Sequence, residues 1–210
     1  MFIKLLNDDE VKFCLKNITD KTFKDGNDTQ PIEDIKKNKE SSLVSDNVRK
    51  LVIGKLYDTH FIDSVYCPNR VSVNFYNQYK KGDFYNLHID NFKAHPKSNN
   101  VFFDYAFSVN LNDDYEGGEI FIQTEVGTIG RKLEAGEAAL FPIIYPHGIK
   151  EITKGKRTNI IGWISSKVSY EQSFILKSLY EVNQFLADKD ENIFTKSVLV
   201  QNYLKKEWGR

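Results

Sequence analysis

Apolar residues along this chain change their spacing twice. Up to about residue 70 they recur at steps of three and four, as on a helix with one buried face. Asn7-Asp8-Asp9-Glu10 caps a short predicted helix carrying Val11, Cys14, Leu15 and Ile18. FKDGNDTQ then reads as a turn-rich loop, tightest at Asp25-Gly26. A second helix is predicted over about residues 42–58, from Ser42 through Val44, Val48, Leu51, Val52 and Leu56.

From about residue 70 to 167 the apolar runs become short and rich in Val, Ile, Phe and Tyr: RVSVNFYNQY, VFFDYAFSVNLN, GEIFIQT, AALFPIIY and RTNIIGWISS. Gly, Asn, Asp and Pro separate them, which predicts an antiparallel sandwich or barrel. Glu116-Gly117-Gly118 and Lys154-Gly155-Lys156 are predicted hairpin loops. The tail returns to helical spacing. Phe174, Ile175, Leu179, Val182 and Leu186 share one face, and Leu199, Val200, Tyr203 and Leu204 another. Both stripes are expected to pack on the β core, although such a tail is also a surface on which a dimer can form.

The 210 residues, 40% of them hydrophobic, suffice for one packed core. The expected organisation is a domain over 1–168, with helical support in 1–70 and the β core in 71–168, followed by a helical extension over 169–210. Basic and acidic residues balance at 29 each, so no general pull toward nucleic acid or anionic membrane is expected. Cys14 and Cys67 are far apart and form no CxxC pair, so no disulfide framework or thiolate zinc site follows from them, and the expectation is free thiols in a reducing compartment. MFIKLLNDDEVKF turns acidic too early for a signal peptide, and no apolar run approaches the ~18–20 residues of a membrane span. The expectation is a soluble cytoplasmic protein.

The segment YKKGDFYNLHIDN, residues 79–91, carries the candidate chemistry. His88 and Asp90 are two apart, so on a strand both side chains lie on one face, about 6–7 Å apart along the chain. A third ligand must come from another strand, and His147 in YPHGI is the best candidate. Two histidines and a carboxylate fill one face of an octahedron and leave the other open, as in non-haem Fe(II) oxygenases. The same set serves zinc hydrolases, so that alternative stays open. His-x-Asp alone is a weak motif, for which a surface pair is the plain reading; a lone His147 equally reads as a satisfied core histidine. His60, in the helical DTHFID, and His95, in the polar loop AHPKSNN, compete poorly, and His95 reads as a solvated loop residue.

Arg157 follows His147 across the Lys154-Gly155-Lys156 turn. With a three-residue Thr153–Gly155 loop, Ile152 pairs with Lys156 and His147 lies opposite Ile161. Arg157, Asn159, Ile161 and Trp163 then share the face of His147. A two-residue loop turns Arg157 away. An inward guanidinium suits the terminal carboxylate of a bound diacid, whereas an exposed arginine after a Lys-rich turn is the bland reading. Tyr85 and Trp163 flank the site, Trp163 as a packing residue.

Tyr79-x-x-Gly82 leading to His88-x-Asp90-Asn91, then LNDDYEGGEI, then the stretch from Gly136 to Pro142, then His147, Arg157 and Trp163-Ile164-x-Ser166 together resemble the prolyl-hydroxylase-like 2-oxoglutarate/Fe(II) oxygenases. More closely they resemble the bacterial and phage PKHD-type hydroxylases, and FKDGNDT, KKNKE and NYLKKEW extend the likeness over most of the chain. The resemblance implies a mainly β fold: a double-stranded β-helix (jelly-roll) core supported by N-terminal and C-terminal helices. It implies His88, Asp90 and His147 as iron ligands, Arg157 on the far carboxylate of 2-oxoglutarate, and Tyr79 facing the cosubstrate pocket. It further implies O2 as co-reactant, ascorbate as reductant and hydroxylation of a protein or peptide, with peptidyl proline foremost. Many prolyl hydroxylases have tyrosine where this chain has Asn110, so a tyrosine grip from that strand is not expected. A zinc hydrolase, a non-catalytic jelly-roll binding module and a nucleic-acid demethylase are the competing readings.

Overall fold

The computed structural model describes residues 1–29, 35–41, 43–91 and 102–209. The expected loop position of His95 and the expected helix start at Ser42 lie outside them. In chain order the elements are β1 (Phe2–Lys4), α1 (Asp8–Lys16), β2 (Lys24–Asp25), β3 (Lys36–Lys37), β4 (Lys39–Ser41), α2 (Asp46–Asp58), α3 (His60–Tyr66), β5 (Pro68–Lys80) and β6 (Phe84–His88). There follow β7 (Tyr105–Asn110), β8 (Glu116–Gly117), β9 (Ile120–Thr124), β10 (Gly127–Arg131), β11 (Glu137–Pro142), β12 (His147–Ile149), β13 (Ile152–Lys154), β14 (Lys156–Ser166), α4 (Tyr170–Leu186) and α5 (Glu191–Trp208).

A large antiparallel sheet runs β1-β11-β7-β14-β5-β4-β2 and a smaller one β10-β9-β12-β6-β3. They form an open jelly roll rather than a closed barrel. Alternation along the central strands divides the molecule into two cores. Tyr105, Phe107 and Val109 of β7, with Ile160 and Ile164 of β14, pack against the helical layer of Val11, Cys14, Val48, Val52, Leu56 and Ile62. The opposite faces meet the smaller sheet in a second cluster that includes Ala106, Ile122, Phe141 and Ile149. Between these faces lies the cavity described below.

The segment from Lys36 to Ser41 joins the two sheets along one edge. β3 pairs with β6 of the smaller sheet, and β4 pairs with β5 of the larger. A buried Lys36–Glu40 ion pair at 2.8 Å spans the crossing. Two- and three-residue strands have too few positions to show a period, so β1 to β4 left no pattern in the sequence. The predicted FKDGNDTQ loop contains β2 and a 3₁₀ turn, Gly26–Thr29.

The first helix is capped as predicted: the Asn7 side chain accepts from the Glu10 N–H, and the Glu10 carboxylate accepts from the Asn7 N–H. Ile18 lies beyond its end. The second helix begins later than about residue 42, with Ser45 as its cap, its hydroxyl accepting from the Val48 N–H.

Three expectations are corrected. Glu116-Gly117-Gly118 is not a hairpin loop: β8 pairs with β13, far along the chain. Both glycines have positive φ, and a Cβ at Gly117 would lie 2.2 Å from the Glu151 carbonyl oxygen. Lys154-Gly155-Lys156 is a corner between sheets, because β14 leaves β13 to pair with β5 and β7. The tail packs through fewer apolar residues than the stripes predict: Leu176, Leu204 and Trp208 join a small cluster with Cys67 and Val168, and Tyr180 packs against the larger core. Phe174, Ile175 and Val182 of α4, and Leu199, Val200 and Tyr203 of α5, are exposed. The helices bury Ser173, Leu176, Asn183 and Gln201 instead, with the Asn183 amide donating to Gln201 Oε1 at 2.7 Å. Among the described residues no helix is long and apolar enough to cross a membrane.

Candidate active site

β6 and β12 are neighbours in the smaller sheet, and His147 sits directly opposite His88. Each imidazole is oriented in the same way. His88 Nδ1 donates to the Asn86 carbonyl at 2.9 Å, and His147 Nδ1 donates to the Tyr145 carbonyl at 3.0 Å. A carbonyl can only accept, so the proton sits on Nδ1 and the Nε2 lone pair is free to bind a cation. Those Nε2 atoms lie 3.5 and 3.8 Å from Asp90 Oδ1. The three ligand atoms fall within 4.8 Å of one another, close enough to hold one metal ion.

Asp90 lies just past the end of β6, not on the strand as the two-residue spacing predicts. Its position is held from across the cavity: Trp163 Nε1 donates to Asp90 Oδ2 at 2.8 Å. Tyr85 stacks on His88 with ring centroids 3.5 Å apart, and Phe141 packs on His147 at 4.5 Å. Burial pushes the His147 imidazole down to about 4, against the pull of the Asp90 charge. Burial alone would raise the Asp90 carboxyl, but the neighbouring His88 and His147 rings and the hydrogen bond from Trp163 outweigh it and hold it below the usual carboxylate value. At neutral pH His147 is therefore neutral and Asp90 ionised, the protonation states that a divalent cation requires.

Arg157 is buried, at 1% exposure, and pairs with Tyr79 across β14 and β5. The hairpin register that motivated its inward orientation does not occur. His147 pairs with His88 and Ile122 in the other sheet, not with Ile161. Arg157 nonetheless points inward, because strand alternation puts Arg157, Asn159, Ile161 and Trp163 on the inner face of β14. Its Nη1 donates to Asn159 Oδ1 at 3.0 Å and its Nη2 to Ser108 Oγ at 3.4 Å. The guanidinium carbon lies 5.5 Å from the centroid of the Tyr79 ring. Among the described residues no carboxylate pairs with it. Gly118 makes room for its stem, since a Cβ there would come within 3.3 Å of Arg157 Cδ.

One cavity is walled by His88, Asp90 and His147 on one side and by Ser108, Asn159 and Trp163 on the other, with Tyr79 and Asn77 at its end. The sequence-predicted ligands thus converge, and Tyr79 and Arg157 lie together beside them. Trp163 is not merely packing, since its indole reaches Asp90. Ser108 and Asn159 escaped the sequence reading, because small polar residues inside a strand carry no motif. Asn110 turns away, its amide donating to the Asn112 and Leu133 carbonyls. His60 lies far from this group in sequence, on α3, where its ring packs near Tyr180.

A PKHD-type hydroxylase of Alteromonas mediterranea is 31% identical to this chain over 86% of it and 83% of the relative. The chain belongs to the PKHD-type hydroxylases. A second member, from Idiomarina loihiensis, is 29% identical over 96% of this chain and 94% of its own. The model of the 2OG-Fe(II) oxygenase superfamily matches residues 71–165, from β5 to the end of β14. That superfamily uses Fe(II), 2-oxoglutarate and O2. The fold is shared with solved prolyl hydroxylases. One, from Trichoplax adhaerens in complex with a hypoxia inducible factor oxygen degradation domain peptide fragment, aligns with a TM-score of 0.58 at 17% identity, over 85% of this chain and 86% of that one. A prolyl-4-hydroxylase from Pseudomonas putida aligns at 0.55 and 14% identity, over 79% and 91%.

Proposed function

We propose that this PKHD-type hydroxylase inserts oxygen into a C–H bond of a prolyl or other amino-acid residue of a protein or peptide. In the balanced reaction R–H, 2-oxoglutarate and O2 give R–OH, succinate and CO2. Bound Fe(II) supplies the activation of O2, which no side chain can perform. His88, Asp90 and His147 hold it through two Nε2 atoms and a carboxylate oxygen. Arg157 is assigned to the far carboxylate of 2-oxoglutarate, with Tyr79 beside it, and ascorbate to keeping the metal reduced. Tyr85 and Phe141 fix the imidazole planes and keep water from their faces. In this reading residues 1–168 carry the chemistry, 169–210 form a helical extension, and the enzyme works in the cytoplasm, where Cys14 and Cys67 stay reduced.

The observation that carries this reading is the buried Arg157 with no carboxylate partner among the described residues, beside a cavity holding two imidazoles and a carboxylate. A buried, uncompensated cation costs several kcal/mol, and an anionic cosubstrate removes that cost. A zinc hydrolase would leave Arg157 without a role. It would also lack a base for its water, since Asp90 is the one carboxylate among the described residues of the cavity wall.

The test is anaerobic titration of metal-free protein with Fe(II) and 2-oxoglutarate, followed by visible absorbance, with ascorbate present when O2 is admitted. A weak charge-transfer band that bleaches as succinate forms is expected. Folded, iron-loaded protein that gives neither band nor succinate would leave the zinc and binding-module readings standing.

A further inference from the structure

Arg157 does not itself wall the cavity; Asn77, Tyr79, Ser108 and Asn159 stand around its end. The orientations of two of these side chains follow from Arg157. A guanidinium only donates, so its bond to Asn159 fixes Oδ1 toward Arg157 and leaves Nδ2 pointing away. That Nδ2 donates to Ser108 Oγ at 2.8 Å. Ser108 Oγ also accepts from Arg157 Nη2, so both of its lone pairs are engaged. Its own O–H has no acceptor among the described residues, and Ser108 is buried at 5% exposure. The second hydrogen of Asn159 Nδ2 is equally uncommitted. Arg157 Nε is likewise buried without an acceptor, whereas the unpaired Oδ1 of Asn77, opposite Asn159 in the ladder, is itself an acceptor and adds nothing to anion binding. A site that gathers unused donors around a buried cation is built for a bidentate anion. Asn110, at the position of the tyrosine grip of related enzymes, spends its amide on two backbone carbonyls and offers no substitute.

We infer that Ser108 and Asn159 contact the far carboxylate of the 2-oxo acid, the Ser108 O–H and the Asn159 amide each donating to one oxygen while Arg157 supplies charge from behind them. This rests on the cosubstrate reading above. It makes the cavity selective for a distal carboxylate over a distal amide, whose own N–H groups would face these donors.

The experiment is binding to Mn(II)-loaded protein without O2, by calorimetry, for the wild type, Ser108→Ala, Ser108→Thr and Asn159→Ala. The probes are 2-oxoglutarate and 2-oxopentanoate, which has the same chain length without the distal carboxylate. Ser108→Ala and Asn159→Ala are each expected to weaken 2-oxoglutarate about tenfold or more, the size of a lost hydrogen bond to a charged group. 2-Oxopentanoate should stay within about twofold, and Ser108→Thr should restore most of the loss. Unchanged 2-oxoglutarate binding in both alanine variants overturns the inference. So do equal losses for the two acids, which would mean a disturbed site rather than a lost carboxylate contact. A wild type that binds 2-oxopentanoate as well as 2-oxoglutarate overturns instead the cosubstrate reading beneath it.

Discussion

Trp163 Nε1 and Asp90 Oδ2 are joined by a 2.8 Å hydrogen bond across the interior of the jelly roll. The indole comes from the larger sheet and the carboxylate from the end of a strand in the smaller one. Asp90 lies outside the backbone ladder, so this bond does what a strand partner would otherwise do. It leaves Oδ1 facing the two imidazoles.

Trp163→Phe keeps most of the ring and removes the donor. Fe(II) or Mn(II) affinity is expected to fall about 10- to 100-fold, the usual cost of losing a partner behind a metal ligand. Thermal stability of the metal-free protein should change far less. Metal titration settles it, and an unchanged dissociation constant would mean that Asp90 is fixed by other contacts.

The His147 imidazole titrates near 6.5 when unfolded and near about 4 in the fold. Between those values the unfolded chain binds more protons, so stability rises with pH across that window. Metal-free protein should therefore lose stability as pH falls from about 6.5 to about 4, by up to about 3 kcal/mol. The Asp90 carboxylate is also held low, and its contribution is lost at lower pH still. Urea midpoints measured across this range test the point: His147→Leu should flatten the slope, and a slope identical to wild type would assign it to other groups.

Arg157→Met replaces a buried cation by an apolar chain of similar reach. The metal-free protein should become more stable by about 1 kcal/mol or more, a rise of roughly 2–4 °C in Tm. The same variant should lose 2-oxoglutarate binding by about 100-fold. A lower Tm would show that the bonds to Asn159 and Ser108 outweigh the cost of the buried charge.

Gly148 separates His147 from Ile149, and a Cβ there would meet the Tyr85 carbonyl oxygen at 2.6 Å and the Phe121 ring at 2.5 Å. Backbone cannot yield to a methyl group without parting β12 from β6. Gly148→Ala is expected to cost about 2–4 kcal/mol and to weaken metal binding with it. Gly54→Ala is the control: a Cβ there meets nothing within 4 Å, and the residue lies inside α2, so stability should rise by up to about 1 kcal/mol. Chemical denaturation of both variants compares the two sites directly.

The candidate ligands were legible because their chemistry lies in residue type: few histidines, one close carboxylate and an arginine downstream. Their spatial relation was less so. Only β13 separates β12 from β14 in sequence, yet the two join different sheets, so no local register could be read from Lys154-Gly155-Lys156. The indole of Trp163 was hidden because an inward aromatic on a strand looks the same whether it fills space or donates a proton. The tail misled for a related reason. Its helices bury Asn183 and Gln201 through a mutual hydrogen bond and Ser173 against the Tyr105 hydroxyl, while Phe174 and Phe185 remain exposed at 63% each. Hydrophobicity alone placed Leu204 correctly but missed the outward turn of Phe174, Ile175, Val182, Leu199, Val200 and Tyr203.

The Asp90–Trp163 bond closes a loop of 73 residues, and every strand that borders the cavity finds a partner far along the chain. Such topologies fold slowly, because the entropy of closing long loops is lost before the contacts that offset it can form. During synthesis His88 and Asp90 emerge first, yet they have no metal site until β12 delivers His147. Trp163 and Arg157 arrive later still. In the proposed reading the ion would bind only once β12 has delivered His147, and a chain halted before β14 would present its histidines without the donor that steadies Asp90.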